Sequence, residues 1–343
     1  GVLPNLLARY IISMAAVDHR AKEGVLSEEF LGSFLRMNAA HETGHLLGLK
    51  DGTFGTFSYS TDQLRDRDWL RTNRFSPSIM NYARFNYVVQ PEDDVPPQWL
   101  LQGIGAADKF WIRWGYSDVE STEELEALWN SSGLYRYRRT SSNGKSPYDG
   151  IETPGVSDPV AAAELGWKNV EQSIKLVEYM EFATQDHEVA ALVSPRELLI
   201  AAIEQWRNMN RQVASLVGGK LLDPHLNSSG EPRSIHDRGV SLVSREDQRS
   251  AMRHLCDEFF GKAPEVLMEG NLVRRSGLTR SEIEEKIRLA RVSVYSSALL
   301  TFPDRSRYRV LHEVDEGAGE VGNAGKDFGS YDLLRELQTC VVR

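Results

Sequence analysis

The chain has 343 residues, 41% hydrophobic and 26% charged, a soluble composition long enough for two or three packed units. Its formal net charge of −9 excludes the basic footprint of a nucleic-acid binder, and no apolar run is long enough to span a membrane. Two cysteines, Cys256 and Cys340, exclude both a disulfide scaffold and a cysteine-rich zinc site.

Residues 6–17 are apolar but lack a basic lead-in and a small-residue cleavage site, and Asp18-His19-Arg20 follows at once. They read as a buried helix rather than an export signal. Phe30, Phe34, Asn38, His41 and His45 then fall at helical spacing, with Leu31 and Leu35 widening the stripe. A helix over residues 27–47 follows, N-capped by Ser27 with Glu28 and Glu29 in its first turn. Gly48 can end it by adopting a left-handed conformation that branched residues resist.

The end of this helix carries the chemistry. His41-Glu42-Thr43-Gly44-His45-Leu46-Leu47-Gly48-Leu49-Lys50-Asp51 reads H-E-x-x-H-x-x-G-x-x-D. Histidines four apart on a helix point the same way, so one divalent ion can sit between their rings. Glu42 can reach a water on that ion. This is the zinc-peptidase arrangement, in which zinc acidifies a water and the glutamate takes its proton. A break at Gly48 lets the chain turn back, so Asp51 can approach the ion as a third ligand and leave the fourth position to water. The blander reading, two satisfied core histidines on an amphipathic helix, does not account for Glu42 and Gly48.

Residues 52–78 read as irregular, with a polar run over 62–74, and lead into Ser78-Ile79-Met80-Asn81-Tyr82. A helix over 95–114, closed by Gly115, is expected next. Residues 117–158 are polar, with Asn-Gly, Ser-Pro and Thr-Pro-Gly punctuation; they hold a short helix over 123–129 and an extended pass over 134–138. Four helices follow. Ala163, Trp167, Val170, Ile174 and Val177 set the rhythm of the first, over 159–182. Ser194-Pro195-Arg196-Glu197 opens the second with a cap, a proline and a capping-box glutamate; its stripe is Leu199, Ala202, Trp206, Met209, Val213 and Leu216, and Gly218-Gly219 ends it. Ser244-x-x-Asp247 opens a third over 244–261. Thr279-x-x-Glu282 opens a fourth over 279–300, with Ile283, Ile287, Ala290 and Val294 inward. These stripes read as core packing. A glycine-rich stretch over 317–329 precedes a short last helix over 330–342.

Cys256 shares a helical face with Met252, Leu255 and Phe259, so a buried apolar thiol is the expectation, with a Cys256–Cys340 disulfide as the alternative. His187-Glu188, His236-Asp237 and His312-Glu313 are adjacent pairs whose side chains diverge, and they read as solvated surface. The absence of G-x-S-x-G argues against an α/β-hydrolase. Val217-Gly218-Gly219-Lys220 lacks the spacing of a phosphate loop.

Ser78-Ile79-Met80-Asn81-Tyr82 resembles the methionine turn, S-x-M-x-Y, of the metzincin metallopeptidases, and it lies downstream of the zinc motif as in that family. The resemblance implies that Met80 is an apolar floor beneath the metal and that Tyr82 stabilises the oxyanion. Arg84-Phe85-Asn86-Tyr87-Val88-Val89-Gln90-Pro91-Glu92-Asp93 is similar to a group of large bacterial zinc-dependent metalloproteases with a C-terminal metzincin domain. So are Asp158-Pro159-Val160-Ala161-Ala162, Leu165-Gly166-Trp167-Lys168-Asn169, Val217-Gly218-Gly219, and the run over 249–260 leading to Pro264. That group places histidine where Asp51 stands. Two readings stay open: Asp51 completes a His41–His45–Asp51 zinc site, the reading favoured, or the third position is weakened and the chain is a catalytically impaired binding or scaffold protein.

The resemblance implies a zinc-dependent endopeptidase with Glu42 as general base, acting on a peptide or protein substrate in a periplasmic or secreted setting. The expected fold is mainly α: a catalytic region over 1–118 with its methionine turn at 78–82, a polar linker over 119–158 and a helical C-terminal region over 159–343. Metzincins normally set a mixed β-sheet before the active-site helix. No alternating strands precede His41, so the sheet is expected to be missing or minimal here, or to lie in upstream domains of a longer protein.

Overall fold

The computed structural model of the protein describes residues 2–22, 27–52, 59–119, 121–131, 157–180, 193–217, 220–223, 239–261, 263–299 and 339–340. Most of them are helical: α1 (Val2–Met14), α2 (Glu28–Leu46), α3 (Thr61–Arg65), α4 (Arg67–Thr72), α5 (Ala106–Tyr116), α6 (Thr122–Asn130), α7 (Pro159–Val177), α8 (Pro195–Ala214), α9 (Arg245–His254), α10 (Glu265–Met268), α11 (Asn271–Ser276) and α12 (Arg280–Leu299). Among the described residues the one sheet pairs β1 (Lys220–Asp223) antiparallel to β2 (Gly239–Leu242), with Lys220 opposite Leu242. No strand precedes α2 among those residues.

Helix starts follow their capping residues. The Phe30 N–H donates to Ser27 Oγ at 3.2 Å. Ser194 and Glu197 exchange both bonds of a capping box, as do Thr279 and Glu282. Each expected stripe on α8 and α12 is buried. On α2 the inward residues are Phe30, Phe34, Met37, His41 and Gly44, whereas Leu35 is exposed. The stripe is narrower than the sequence suggested because Leu35 shares the outer face with Glu42, two turns on.

Three sequence expectations change. The run over 62–74 is not irregular: Ser60 and Gln63 form a capping box for α3, and Asp66 caps α4. The helix expected from residue 95 begins only at Ala106, because Pro96 and Pro97 allow no more than a short 3₁₀ turn and Gly105 is pressed against the Pro77 carbonyl. Cys256 is not a free thiol: it is bonded to Cys340, with Cα atoms 5.1 Å apart. It stands in a π-helical turn, Leu255–Phe259, that closes α9. The extended pass over 134–138, the three adjacent histidine–acid pairs, Gly218-Gly219 and most of the helix over 330–342 lie outside the described residues.

The central helix is α8, packed by α1, α7, α11 and α12. Helix α1 is buried, as its apolar sequence predicted, and carries the contact between this bundle and α2. The Tyr10 ring centroid lies 5.7 Å from that of Phe30, 5.1 Å from Phe34 and 5.4 Å from Phe85, all edge-on. Its hydroxyl donates to Asp18 at 2.8 Å; burial, then the Asp18 charge, push the phenol well above its ordinary pKa. One aromatic cluster thus fixes α2 and the segment after Tyr82 on the same support.

That segment is embedded in the helical half. Asn169 on α7 donates to the carbonyls of Tyr87 and Val89 at 2.9 and 2.6 Å. Gln90 donates to the Leu165 carbonyl at 3.1 Å, and Tyr87 donates to Gln212 on α8 at 3.2 Å. A Cβ at Gly166 would collide with the Tyr87 ring.

Candidate metal centre

Helix α2 ends as its sequence requires. Gly48 takes φ +84°, in the left-handed region. The Leu49 N–H donates to the Gly44 carbonyl at 2.9 Å and the Gly48 N–H to the His45 carbonyl at 3.0 Å, the paired bonds of a Schellman cap. The chain reverses, and the Gly52 N–H donates to the Met80 carbonyl at 3.3 Å. Asp51 is thereby held over the two histidines.

Asp51 Oδ1 lies 3.2 Å from His41 Nε2 and 3.4 Å from His45 Nε2. The three candidate ligand atoms all lie within 4.8 Å of one another. Two ligands on a tetrahedral ion, each at about 2.0–2.1 Å, stand about 3.3 Å apart, so the oxygen–nitrogen separations match a shared metal.

Both Nδ1 atoms are committed away from this point. His41 Nδ1 is 2.8 Å from the Ile79 carbonyl, and His45 Nδ1 is 2.9 Å from the Leu49 carbonyl. A carbonyl oxygen can only accept, so each Nδ1 carries a proton and each ring directs its Nε2 towards Asp51. Asp51 Oδ1 is buried and has no hydrogen-bond partner. Two ring nitrogens and a carboxylate oxygen that converge without a hydrogen bond between them make a donor set suited to a cation. Nitrogen and oxygen donors in a compact three-point set fit zinc.

The remaining predicted residues lie on α2 and at residues 80–82. Glu42 is exposed one position beyond His41. The Tyr82 ring centroid is 6.0 Å from that of His41, with the Arg84 guanidinium 4.9 Å from the Tyr82 ring centre. Met80 is fully buried, and its sulfur lies against Gly44 on the inner side of α2.

Four supporting roles escaped the sequence reading. Gly44 is the point where Met80 meets α2; a glycine inside a helix, costing about 1 kcal/mol against alanine, was the available signal. Asp108, in the first turn of α5, accepts from Ser78 Oγ at 2.5 Å, the Ile79 N–H at 2.8 Å and the Gly105 N–H at 2.8 Å. Burial raises its carboxyl pKa, against the lowering effect of those three bonds and the field of His41. Gln102 donates to the Ser78 and Asn81 carbonyls at 2.5 and 2.7 Å. Ser78 itself also accepts the Met80 N–H at 3.0 Å. Nothing in the spacing of Gln102 and Asp108 marks them, because they reach the turn from 21 to 30 residues away.

The chain matches the family model described as Met-zincin over residues 23–341, almost its whole length. No curated protein and no solved structure matches it. No helix among the described residues is long and apolar enough to cross a membrane.

Proposed function

The chain belongs to the Met-zincin family, and from that premise we propose that it is a zinc-dependent endopeptidase whose third ligand is Asp51. The carrying observation is the convergence of His41 Nε2, His45 Nε2 and the unpartnered Asp51 Oδ1 on one point, with both Nδ1 protons committed elsewhere. His41, His45 and Asp51 would hold the ion, which when bound supplies Lewis acidity, polarising a carbonyl and making water a stronger acid.

The chain's own groups do the rest. The Glu42 carboxylate takes the proton of the attacking water and passes it to the leaving amine. The Tyr82 phenol donates a hydrogen bond to the developing oxyanion. Met80 fills the space beneath the histidines and keeps water from reaching them from the core side. The substrate is a peptide or protein segment. A periplasmic or secreted setting, and kinship with the C-terminal domains of large bacterial zinc-dependent metalloproteases, fit the Cys256–Cys340 bond, since disulfides persist in oxidising compartments.

The test is zinc content by mass spectrometry after reconstitution, alongside cleavage of casein and a peptide library, with Glu42→Gln as control. One zinc per chain in both proteins and cleavage by the unmutated chain alone is the expected result. Failure to retain zinc sinks the reading. Stoichiometric zinc without cleavage turns it into a metal-binding scaffold.

A further inference from the structure

One peptide group links a buried carboxylate to a candidate zinc ligand. The Ile79–Met80 peptide accepts the His41 Nδ1 proton on its carbonyl oxygen at 2.8 Å. Its N–H donates to Ser78 Oγ at 3.0 Å. The Ser78 hydroxyl in turn donates to Asp108 Oδ1 at 2.5 Å. Every member is buried: His41, Ser78, Ile79, Met80 and Asp108 are each less than 5% exposed. Asp108 is held independently by the N–H groups of Ile79 and Gly105, both on its Oδ2.

We propose that Asp108 and Ser78 are positioning residues that set the tautomer and ring orientation of His41 through the Ile79–Met80 peptide. This deepens the zinc-peptidase reading and rests on it for its functional consequence. Hydrogen bonds in series polarise one another in a low-dielectric interior. The Asp108 charge draws the Ser78 proton, which makes Ser78 Oγ a better acceptor for the Met80 N–H. That polarises the shared peptide and strengthens its carbonyl as an acceptor for His41 Nδ1–H. Histidines that ligate metals commonly donate their second ring N–H to a carboxylate or carbonyl, which orients the ring and raises its basicity. Here the carboxylate acts at one peptide's remove. His45, which donates only to the Leu49 carbonyl at the helix cap, has no such chain, so the two histidines should respond differently.

Ser78→Ala is the discriminating variant. It cuts the link between peptide and carboxylate and leaves the bonds from Ile79 and Gly105 to Asp108 in place. Asp108→Asn is the second variant: its amide can still accept from those two N–H groups and donate to Ser78 Oγ, so it removes the charge and keeps the shape. In the metal-free protein with isotope-labelled histidine, NMR reads the His41 tautomer directly, with His45 as internal reference. The unmutated chain should show His41 in the Nδ1–H form with a strongly downfield proton. Both variants should move that resonance upfield or mix the tautomers while His45 stays put. Zinc affinity, by competition with a chromophoric chelator, should fall about 10–100-fold in each, the usual effect of losing an outer partner of a ligand. An unchanged His41 resonance in Ser78→Ala overturns the proposal, as does unchanged zinc affinity. Equal movement of both histidines makes the role merely structural and overturns it too. The NMR readout needs neither zinc nor peptidase activity, so failure of the relay and failure of the peptidase reading give separate results.

Discussion

Met80 occupies the space that a side chain at Gly44 would need: a Cβ added there would overlap the methionine sulfur. Gly44 sits between the two histidines on the inner face of α2, so the turn carrying Met80 reaches the helix backbone itself. Gly44→Ala gains about 1 kcal/mol of helix propensity and loses about 1–3 kcal/mol to overpacking. The net expectation is destabilisation of the metal-free protein and weaker zinc binding, since His41 and His45 flank the displaced turn. Met80→Ala on the Gly44→Ala background should recover part of both losses. A double-mutant cycle in urea unfolding checks this, with a coupling above about 0.5 kcal/mol expected for residues in contact; additive losses would show that the two do not meet.

Asp51 should act with opposite sign on the metal-free and zinc-loaded protein. Without a cation its Oδ1 lies 3.2 and 3.4 Å from the two Nε2 atoms with no hydrogen-bond partner. Asp51→Asn places an amide there that can donate to one Nε2, so the metal-free variant should melt at a higher temperature than the unmutated chain. The same change removes a charged ligand, so zinc affinity should fall by about 100-fold or more, beyond the loss of an outer partner. Thermal melts with and without zinc check both signs. Equal melting temperatures without zinc and equal affinities would rule Asp51 out as a ligand.

Much of this arrangement was legible because it is local. The His41, Glu42, His45 and Gly48 spacing fixes one helix face and its end, and helical geometry does the rest. The second-half helices were legible from their caps and stripes for the same reason. Two stretches whose likeness to metalloproteases was only a matter of sequence turn out to touch: Leu165, Gly166 and Asn169 grip the segment from Tyr87 to Gln90. What stayed hidden is long-range. Asp108 serves the turn at Ser78 from α5 and Gln102 from the stretch before it, where Pro96, Pro97 and Gly105 outweigh the apolar pattern that suggested a helix from residue 95. The pairing of Cys256 with Cys340 spans 84 positions, and helical periodicity cannot see across that distance.

The Cys256–Cys340 bond should contribute about 2–4 kcal/mol, most of it by restricting the unfolded chain. The double variant Cys256→Ser with Cys340→Ser is expected to unfold at lower urea, and a reducing agent should bring the unmutated chain to the same midpoint. Zinc affinity should hardly change, because the π-helical turn carrying Cys256 packs on α8 and α9, whereas His41 and His45 stand on α2. A midpoint insensitive to reduction would mean that the bond adds nothing to stability.

His254 should make stability depend on pH independently of the metal. It ends α9, where its Nε2 is 3.2 Å from Asn210 Oδ1 on α8 and its Nδ1 is 3.6 Å from Glu164 Oε1 on α7. Its side chain is only 7% exposed, against 63% for Glu164. Burial lowers its pKa, outweighing the raising effects of Glu164, Glu258 and Asp257. The folded state therefore resists the proton that the unfolded chain accepts near about 6.5. Between the folded and unfolded values the unfolded state binds more protons, so stability rises with pH across that window. It is fully present above the unfolded value and is lost as pH falls through it towards the folded one. His254→Gln keeps a donor for Asn210 and does not titrate. It should cost about 1 kcal/mol at pH 8 through poorer packing and hydrogen bonding, and the deficit should shrink as pH falls through that window. Urea unfolding of both metal-free proteins from pH 8 to 5.5 measures this difference, in which the contributions of all groups common to the two chains cancel. A deficit that stays constant across that range would assign the pH dependence to other groups.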